Sequence, residues 1–567
     1  MTSIVATNIT SPLGFTTEQN YQAVKSGRSA LRTMTGWRSV LPGRLTAAAL
    51  DDGQLDVIGK EGFTRFQSLV LHSVEEALSH ADVDVASPRT VLIVSTTKGD
   101  IEELSADEAS DGAYLAPGES ARRIAASLGF TTDPVVVCNA CISGLAAQVL
   151  ADRMLESGMC DTAVVCGADT LSVFTVAGFT SFKALSPDPC KPFDIDRTGL
   201  NLGEGAATVI LRRSEDAPQA QWTLSRGCLD NDAYHVSAPA PDGEGLYRAM
   251  MKAMEGLDAS DMGVVAAHGT ATMFNDQMES KAIEKAGLSE VPVAAFKSYY
   301  GHTLGAAGLI ESILAMRAAD DGIVLPVKGF EMRGVTGKVN VSDRMRETDS
   351  SVILKIISGF GGCNGAAIYS RSPHAGCASG WTGGLRVAGS VHITPSSLQI
   401  DGKDVAVEAG GKALLTEIYK KELEDNPKFY KMDVFSRLVY LASGIVCKGI
   451  EDTVAPEDRS LVLFNASSSI VADRQHLRTF TGPEGFFPSP ATFLYTLPNV
   501  VTGEIAVRFG IKGETTLLIL PRRDDAVIAA LSETVFRLSG TSAMITGWVD
   551  CDAEDSFEAD VKLIIKQ

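Results

Sequence analysis

The stretch VVVCNACISGLAAQVL (135–150) decides how this chain is read. A run of β-branched residues ends at Cys138, and an amphipathic segment then runs from Ser143 to its close at Gly158. That change of period marks a strand turning directly into a helix. Cys138 ends the apolar run and reads as a small buried hydrophobe. Cys141 lies in the turn itself, where unpaired backbone N–H groups and the positive end of the helix dipole meet. Both favour thiolate over thiol, which predicts a nucleophile. Small neighbours (Ala140, Ser143, Gly144) leave room for a substrate. Two other readings of C-x-x-C are weaker. Structural zinc needs four ligands on short knuckles, and the second pair, Cys160 and Cys166, sits inside the strand pattern TAVVCGAD. A thioredoxin-like redox pair finds no further support.

Outward from this turn, short β-branched runs alternate with longer amphipathic segments through the first 370 residues. RTVLIVSTT (89–97), CDTAVVCGAD (160–169), GEGAATVILRR (203–213) and SSVILKIIS (350–358) are such runs; FTRFQSLVLHSVEEALSHA (63–81) and NDQMESKAIEKAGL (275–288) are such segments. The rhythm predicts an α/β fold with buried sheets. The chain has 567 residues, 45% hydrophobic and 21% charged, with a formal charge of −20. That charge argues against nucleic-acid binding and against docking on an anionic membrane. No apolar run reaches the roughly 20 residues of a membrane helix, so no membrane insertion is expected. The N-terminal stretch has no secretory pattern, and ten scattered cysteines suit a reducing cytoplasm.

SRSPHAGCASGWTGGLR (370–386) reads as a linker. The segment beyond it repeats the front in order. EDRSLVLF (457–464) answers PRTVLIV (88–94), MDVFSRLVYLASGIV (432–446) answers FTRFQSLVLHSVEEAL (63–78), and SGTSAMITGWVD (539–550) answers SGMCDTAVVCGAD (157–169). The position matching Cys141 then falls at or beside Arg522, and no cysteine occurs from 511 to 550. The copy therefore lacks the nucleophile.

Two histidines stand in specific company. His268 opens HGTATMFND (268–276) at the end of an apolar run, and His302 lies in the glycine-rich turn of FKSYYGHTLGAAGLIESILAM (296–316). A lone histidine is more often structural. Two of them, each at a junction among small residues, point to chemistry.

Together with SPLG and SGRSAL (11–14, 26–31), NACISG, KPFDIDRTGLNLGEGA (191–206), HGTAT…ND, KSYYGHTLGAAG and GFGGCNG (359–365), in this order, the first 370 residues resemble the elongating β-ketoacyl-[acyl-carrier-protein] synthases of the thiolase-like superfamily. The resemblance implies a five-layered αβαβα fold at 1–372, from two halves of about 1–210 and 211–372. A linker would follow at 373–386, and then a third, smaller α/β half-unit at 387–567. It implies that Cys141 carries the acyl chain as a thioester, and that His268 and His302 face the malonyl thioester. Lys297 is expected to orient His302, with Glu279 behind it. Thr270 and Thr272 would hold the phosphopantetheine arm. Phe360, with Gly361 in the same turn, would gate the acyl pocket, and the N–H groups of Phe360 and Cys141 would form an oxyanion hole. The expected reaction is decarboxylative Claisen condensation of the Cys141-bound acyl group with malonyl-acyl carrier protein. Its product, a 3-oxoacyl-carrier protein, would serve fatty acid, polyene or polyketide synthesis.

The chemistry fits these residue types. Thiolate is both nucleophile and leaving group, and two imidazole N–H donors can hold an enolate without a metal. No metal or bound cofactor is expected; the 4'-phosphopantetheine arrives on the carrier protein. A homodimer is also expected. Cys363 departs from the family's usual threonine, ACIS from its usual ACAT, and bulky Tyr299 and Tyr300 put the acyl-chain preference in doubt. The alternatives are a non-catalytic, chain-length-factor-like subunit that binds carrier protein, and a cysteine hydrolase. Cys141 speaks against the first. The tail should expose an apolar face unless it packs on the synthase or on a second copy; dimerisation, carrier docking and chain-length control are its expected roles, with scaffolding favoured, and a decayed duplication retained for stability is the alternative. Because carrier proteins are acidic, as this chain is, a basic cluster is expected at the pocket mouth.

Overall fold

The computed structural model describes residues 2–567 except 38–42, 106–113, 217–221, 372–382, 425, 451–453 and 483–484. Most of the linker read at 373–386 thus lies outside the described residues.

One five-stranded arrangement occurs three times. The first copy comprises β1 (Thr2–Thr10), β2 (Thr90–Ser95), β3 (Val135–Val137), β4 (Thr162–Asp169) and β5 (Gly205–Arg213). They lie in the order β1-β5-β4-β2-β3, parallel from β4 to β3 and antiparallel elsewhere. The second has β6 (Trp222–Asn231), β7 (Val264–Ala266), β8 (Pro292–Ala294), β9 (Val352–Gly359) and β10 (Cys363–Ser370), ordered β6-β10-β9-β7-β8. The third has β11 (Leu385–Thr394), β12 (Arg459–Asn465), β13 (Thr515–Ile519), β14 (Ala543–Ala553) and β15 (Ser556–Lys566), ordered β11-β15-β14-β12-β13. The seam between the first two copies falls between Arg213 and Trp222, a little beyond the expected break near 210.

Strand alternation separates two cores. Val91, Ile93, Ala163 and Val165 face an inner core, while Leu92, Val94, Val164 and Cys166 face an outer one. Helices cover both faces, which is why these strands read as continuous apolar runs. On the outside, α1 (Arg65–Ser79) covers the first sheet, its start fixed by a capping box between Thr64 and Gln67. The helices α3 (Glu244–Ala253) and α4 (Met273–Lys285) cover the second.

Between the sheets lie α2 (Ser143–Glu156) and α5 (Ala307–Asp320), buried almost all round. Their backbones touch. A Cβ on Gly144 would lie 2.7 Å from the Gly305 carbonyl oxygen, and one on Gly308 would lie 2.6 Å from the Leu145 nitrogen. This close approach brings the turn of Cys141 to the turn of His302.

The paired repeat segments take matching places: α1 and α6 (Val434–Cys447), β2 and β12, β4 and β14. Arg522 lies between β13 and α8 (Asp525–Leu538), where Cys141 lies between β3 and α2. It is exposed and ion-paired to Asp133 at 3.0 Å.

The third copy packs on the first two. β13 pairs antiparallel with β3, Leu518 opposite Val137 and Ile519 opposite Val136. The inner core runs on through Val462, Phe464, Leu518 and Trp548. Two buried ion pairs cross the seam, Lys98–Asp473 at 2.6 Å and Arg153–Glu514 at 2.7 Å.

Breaking one side of such a pair strands a buried charge, whereas replacing both sides by apolar residues removes it. Asp473→Ala should therefore cost about 3–5 kcal/mol, seen as a lower urea midpoint. The double variant Lys98→Met with Asp473→Leu should recover most of that loss.

Candidate active site

Cys141 sits in a single 3₁₀ turn, Ala140–Ile142, between β3 and α2. Ala140 precedes it at φ +47°, a left-handed conformation that costs a non-glycine residue energy and kinks the chain so that the thiol turns outward. Gly359 closes on this turn: a Cβ there would meet the Cys141 nitrogen at 3.2 Å. Burial pushes the Cys141 thiol up to about 11, against the pull of the Lys297 charge and of the N–H groups of Phe360 and Cys141 itself. The thiolate expected from the helix terminus is therefore not the resting state. Desolvation raises the thiol more than the Lys297 charge and these amides lower it. The same two amides form a ready pocket for negative charge.

The sulfur and one ring nitrogen each of His268 and His302 lie within 4.8 Å of one another. The two rings meet edge to face, with centroids 5.1 Å apart. The expected role of Lys297 is corrected here. Its Nζ donates to His268 Nδ1 at 2.9 Å and to the His268 carbonyl at 2.7 Å, so it orients His268 rather than His302. His302 is held instead by the Leu304 N–H, which donates to its Nδ1 at 3.1 Å. Both rings thus accept at Nδ1 and carry their proton on Nε2. His302 Nε2 is buried without a hydrogen-bond partner among the described residues.

Burial, then the charges of Lys297 and Lys355, hold both imidazoles well below their ordinary range; the proximity of His302 adds to the effect on His268. They are neutral N–H donors at pH 7. This trio is the metal-sized ligand cluster found among the described residues, but a protonated Nε2 offers a donor where a metal needs a lone pair.

Glu279 is corrected too. Fully buried, it accepts from the His268 N–H at 2.5 Å and the Gly269 N–H at 2.9 Å, so it fixes the His268 turn and does not line the cavity. Burial pushes its carboxyl up to about 7. Glu311 bridges Lys297 and Lys355, each at 2.6 Å.

Two cavities meet at the thiol. The outer one, about 420 Å³, is lined by Cys141, His268, His302, Thr270, Thr272 and Phe360, among others. Met273 and the exposed Phe274 line it further out. Lys183 is the only lysine or arginine among its described lining residues. The inner cavity, about 10 Å³, holds at most one water and also touches Cys141 and Phe360. Phe360 thus stands between the two, stacked with Phe179 at 6.1 Å. The inner wall includes Phe493 and Leu497 of the C-terminal segment. Gly361 turns away; its N–H donates to the Val236 carbonyl at 2.7 Å. Tyr299 and Tyr300 are buried and line neither cavity; their hydroxyls donate to the Pro326 carbonyl and to Asn20.

Stacked, repeated halves with a thiol where their central helices meet are the architecture of thiolase-like ketosynthases. The chain belongs to the β-ketoacyl synthase family: residues 2–217 match its N-terminal domain and residues 224–331 its C-terminal domain. The 3-oxoacyl-[acyl-carrier-protein] synthase 2 of Rhizobium meliloti is 35% identical over 41% of this chain and 60% of its own length. The tetracenomycin polyketide synthase ketoacyl synthase alpha subunit of Streptomyces glaucescens is 28% identical over 65% of this chain and 96% of its own. Among solved structures, a ketosynthase in complex with its chain length factor from Xenorhabdus doucetiae is 26% identical, with TM-score 0.54 over 65% of this chain and 97% of that one. A PfaC keto synthase–chain length factor shares the fold over 100% of this chain and 78% of its own, with TM-score 0.74 at 14% identity.

Sequence reasoning missed Glu311, Lys355, Phe179 and the tail residues. Two of these carried a signal: a lone acid in GLIESILAM and a lone lysine in VILKIIS, each stranded in an apolar run.

Below its pKa a thiol loses a factor of ten in thiolate for each pH unit. Alkylation of Cys141 by iodoacetamide should therefore rise about tenfold per unit from pH 7 to pH 9. Intact-mass kinetics with a Cys141→Ser control would show this. A plateau near pH 7 would mean that the thiol is already ionised.

Proposed function

We propose that this chain catalyses decarboxylative Claisen condensation between an acyl group on Cys141 and a malonyl group on a carrier protein. The observation that carries this reading is the convergence of one sulfur and two neutral histidines, each with its proton on Nε2, within 4.8 Å.

Cys141 first displaces the carrier thiol from an acyl thioester. The new C–S bond forms as the old one breaks, and the proton of Cys141 ends on the departing carrier thiol. The oxygen charge that develops is met by the N–H groups of Phe360 and Cys141. A malonyl thioester then occupies the outer cavity, its arm along Thr270 and Thr272. Loss of carbon dioxide leaves an enolate, whose oxygen accepts from Nε2–H of His268 and of His302. Both rings stay neutral, so they donate hydrogen bonds without protonating the carbanion. The carbon attacks the acyl carbonyl, the same two amides hold the oxyanion, and its collapse expels the Cys141 thiolate, which takes a proton from solvent. The full set of sulfur and histidines speaks against a non-catalytic subunit.

Carrier protein is the partner this reading requires. Among the residues that line the outer cavity, Lys183 with the exposed apolar Met273 and Phe274 would face it. The tail stands where a homodimer would supply a second subunit: β13 occupies the β3 edge, in the antiparallel manner of two copies of one unit. We propose a monomer with an internal pseudo-dimer, its tail closing the acyl pocket through Phe493 and Leu497.

Incubation with acyl-carrier protein should add an acyl mass to the wild type and none to Cys141→Ala. His268→Ala and His302→Ala should keep the adduct but slow malonyl decarboxylation by about 10²–10³-fold each. No adduct at any chain length would sink the condensation reading. Phe493→Ala should let longer acyl chains load. An unchanged chain-length profile by intact mass would remove the tail from length control.

A further inference from the structure

The loop that carries Phe360 is gripped from behind by the C-terminal segment. Asn499, at the N-cap of α7 (Val500–Phe509), donates from Nδ2 to the Phe360 carbonyl at 2.8 Å and lies 3.5 Å from Cys363 Sγ. The carbonyl can only accept, so the amide must present its NH₂ to it. One turn along, Gly503 lies back to back with Gly361: a Cβ on Gly503 would come within 2.4 Å of the Gly361 carbonyl oxygen. The loop has little rigidity of its own, with Gly361 at φ +92° and Gly362 at φ +73°.

The peptide between Phe360 and Gly361 is therefore clamped on both sides. Its oxygen is held by Asn499, and its N–H is held by the Val236 carbonyl at 2.7 Å. The peptide just before it bears the Phe360 N–H that reaches the Cys141 sulfur. With one plane fixed, only the φ and ψ of Phe360 separate that N–H from a defined direction. The ring of Phe360, which divides the two cavities, hangs on the same residue.

We propose that Asn499 is a positioning residue for acyl transfer: it acts through the Phe360 peptide to aim the oxyanion-binding N–H and to set the gate. The third copy of the fold is then part of the reaction apparatus as well as a cover for the sheet edge. This inference rests on the condensation reading.

The two half-reactions separate it from a purely structural role. Acylation of Cys141 uses the Phe360 N–H; decarboxylation of malonyl-carrier protein by the unacylated enzyme uses His268 and His302. In the full-length Asn499→Ala and the near-isosteric Asn499→Asp, acylation followed by intact mass should slow by about 10- to 100-fold, the scale of a small misplacement. Carbon dioxide release should stay within about twofold. If Asn499→Ala fails to fold, Asn499→Asp and Gly503→Ala, which presses on Gly361 from the same side, carry the test. Unchanged acylation in these variants overturns the proposal. So does an equal fall in both half-reactions, which a loosened tail would give. A wild type that takes no acyl group overturns the condensation reading itself, and the inference with it.

Discussion

A sheet edge cannot be left bare, and in this chain the edge lies one turn from Cys141. β3 is only Val135–Val137, the last strand of its sheet, and Cys141 follows it. Whatever pairs with β3 becomes a wall of the cavity beside Cys141. Here the partner is β13, and the elements around it come along: Asn139 Nδ2 donates to the Thr515 carbonyl, Asn231 Nδ2 donates to the Thr515 hydroxyl, and Phe493 and Leu497 close the inner cavity. Edge pairing and active-site construction are one event.

The site is charged in its depths and neutral at its two histidines. Lys297, Lys355 and Glu311 form a buried chain in which a single carboxylate answers two amines. That leaves a positive field around two histidines already disfavoured as cations by desolvation. Neutrality of the rings follows from the architecture, and so does their direction, since Lys297 takes one Nδ1 and the Leu304 N–H the other. An imidazolium would protonate a carbanion. A neutral donor can hold the enolate without destroying it.

Much of this was legible from residue order. The change of period at 135–150 placed Cys141 at a strand–helix turn, and alternating runs predicted buried sheets. Ordered motifs identified the family, and the segments of the internal repeat fall on matching strands and helices. What escaped depends on direction in space. A lysine five residues before His302 in sequence reaches His268, because the helical turn at Lys297–Tyr300 folds its side chain back toward the other strand end. Two tyrosines beside His302 face the core instead of the pocket. The helix terminus argued for thiolate, but burial, a property of the whole packing, set the thiol the other way. Asn499 and Phe493 carry no local signature at all, since their meaning lies in residues more than a hundred positions away.

The pairing of β3 with β13 also sets an order of events during synthesis. Asn139 and Thr515, which meet beside it, are 376 residues apart in the chain. At about 5–20 residues per second on the ribosome, β3 emerges tens of seconds before the strand that covers it. Throughout that interval the nascent synthase presents an unpaired strand next to an apolar pocket. An unpaired edge of that kind is a template for pairing with another chain until the third copy covers it.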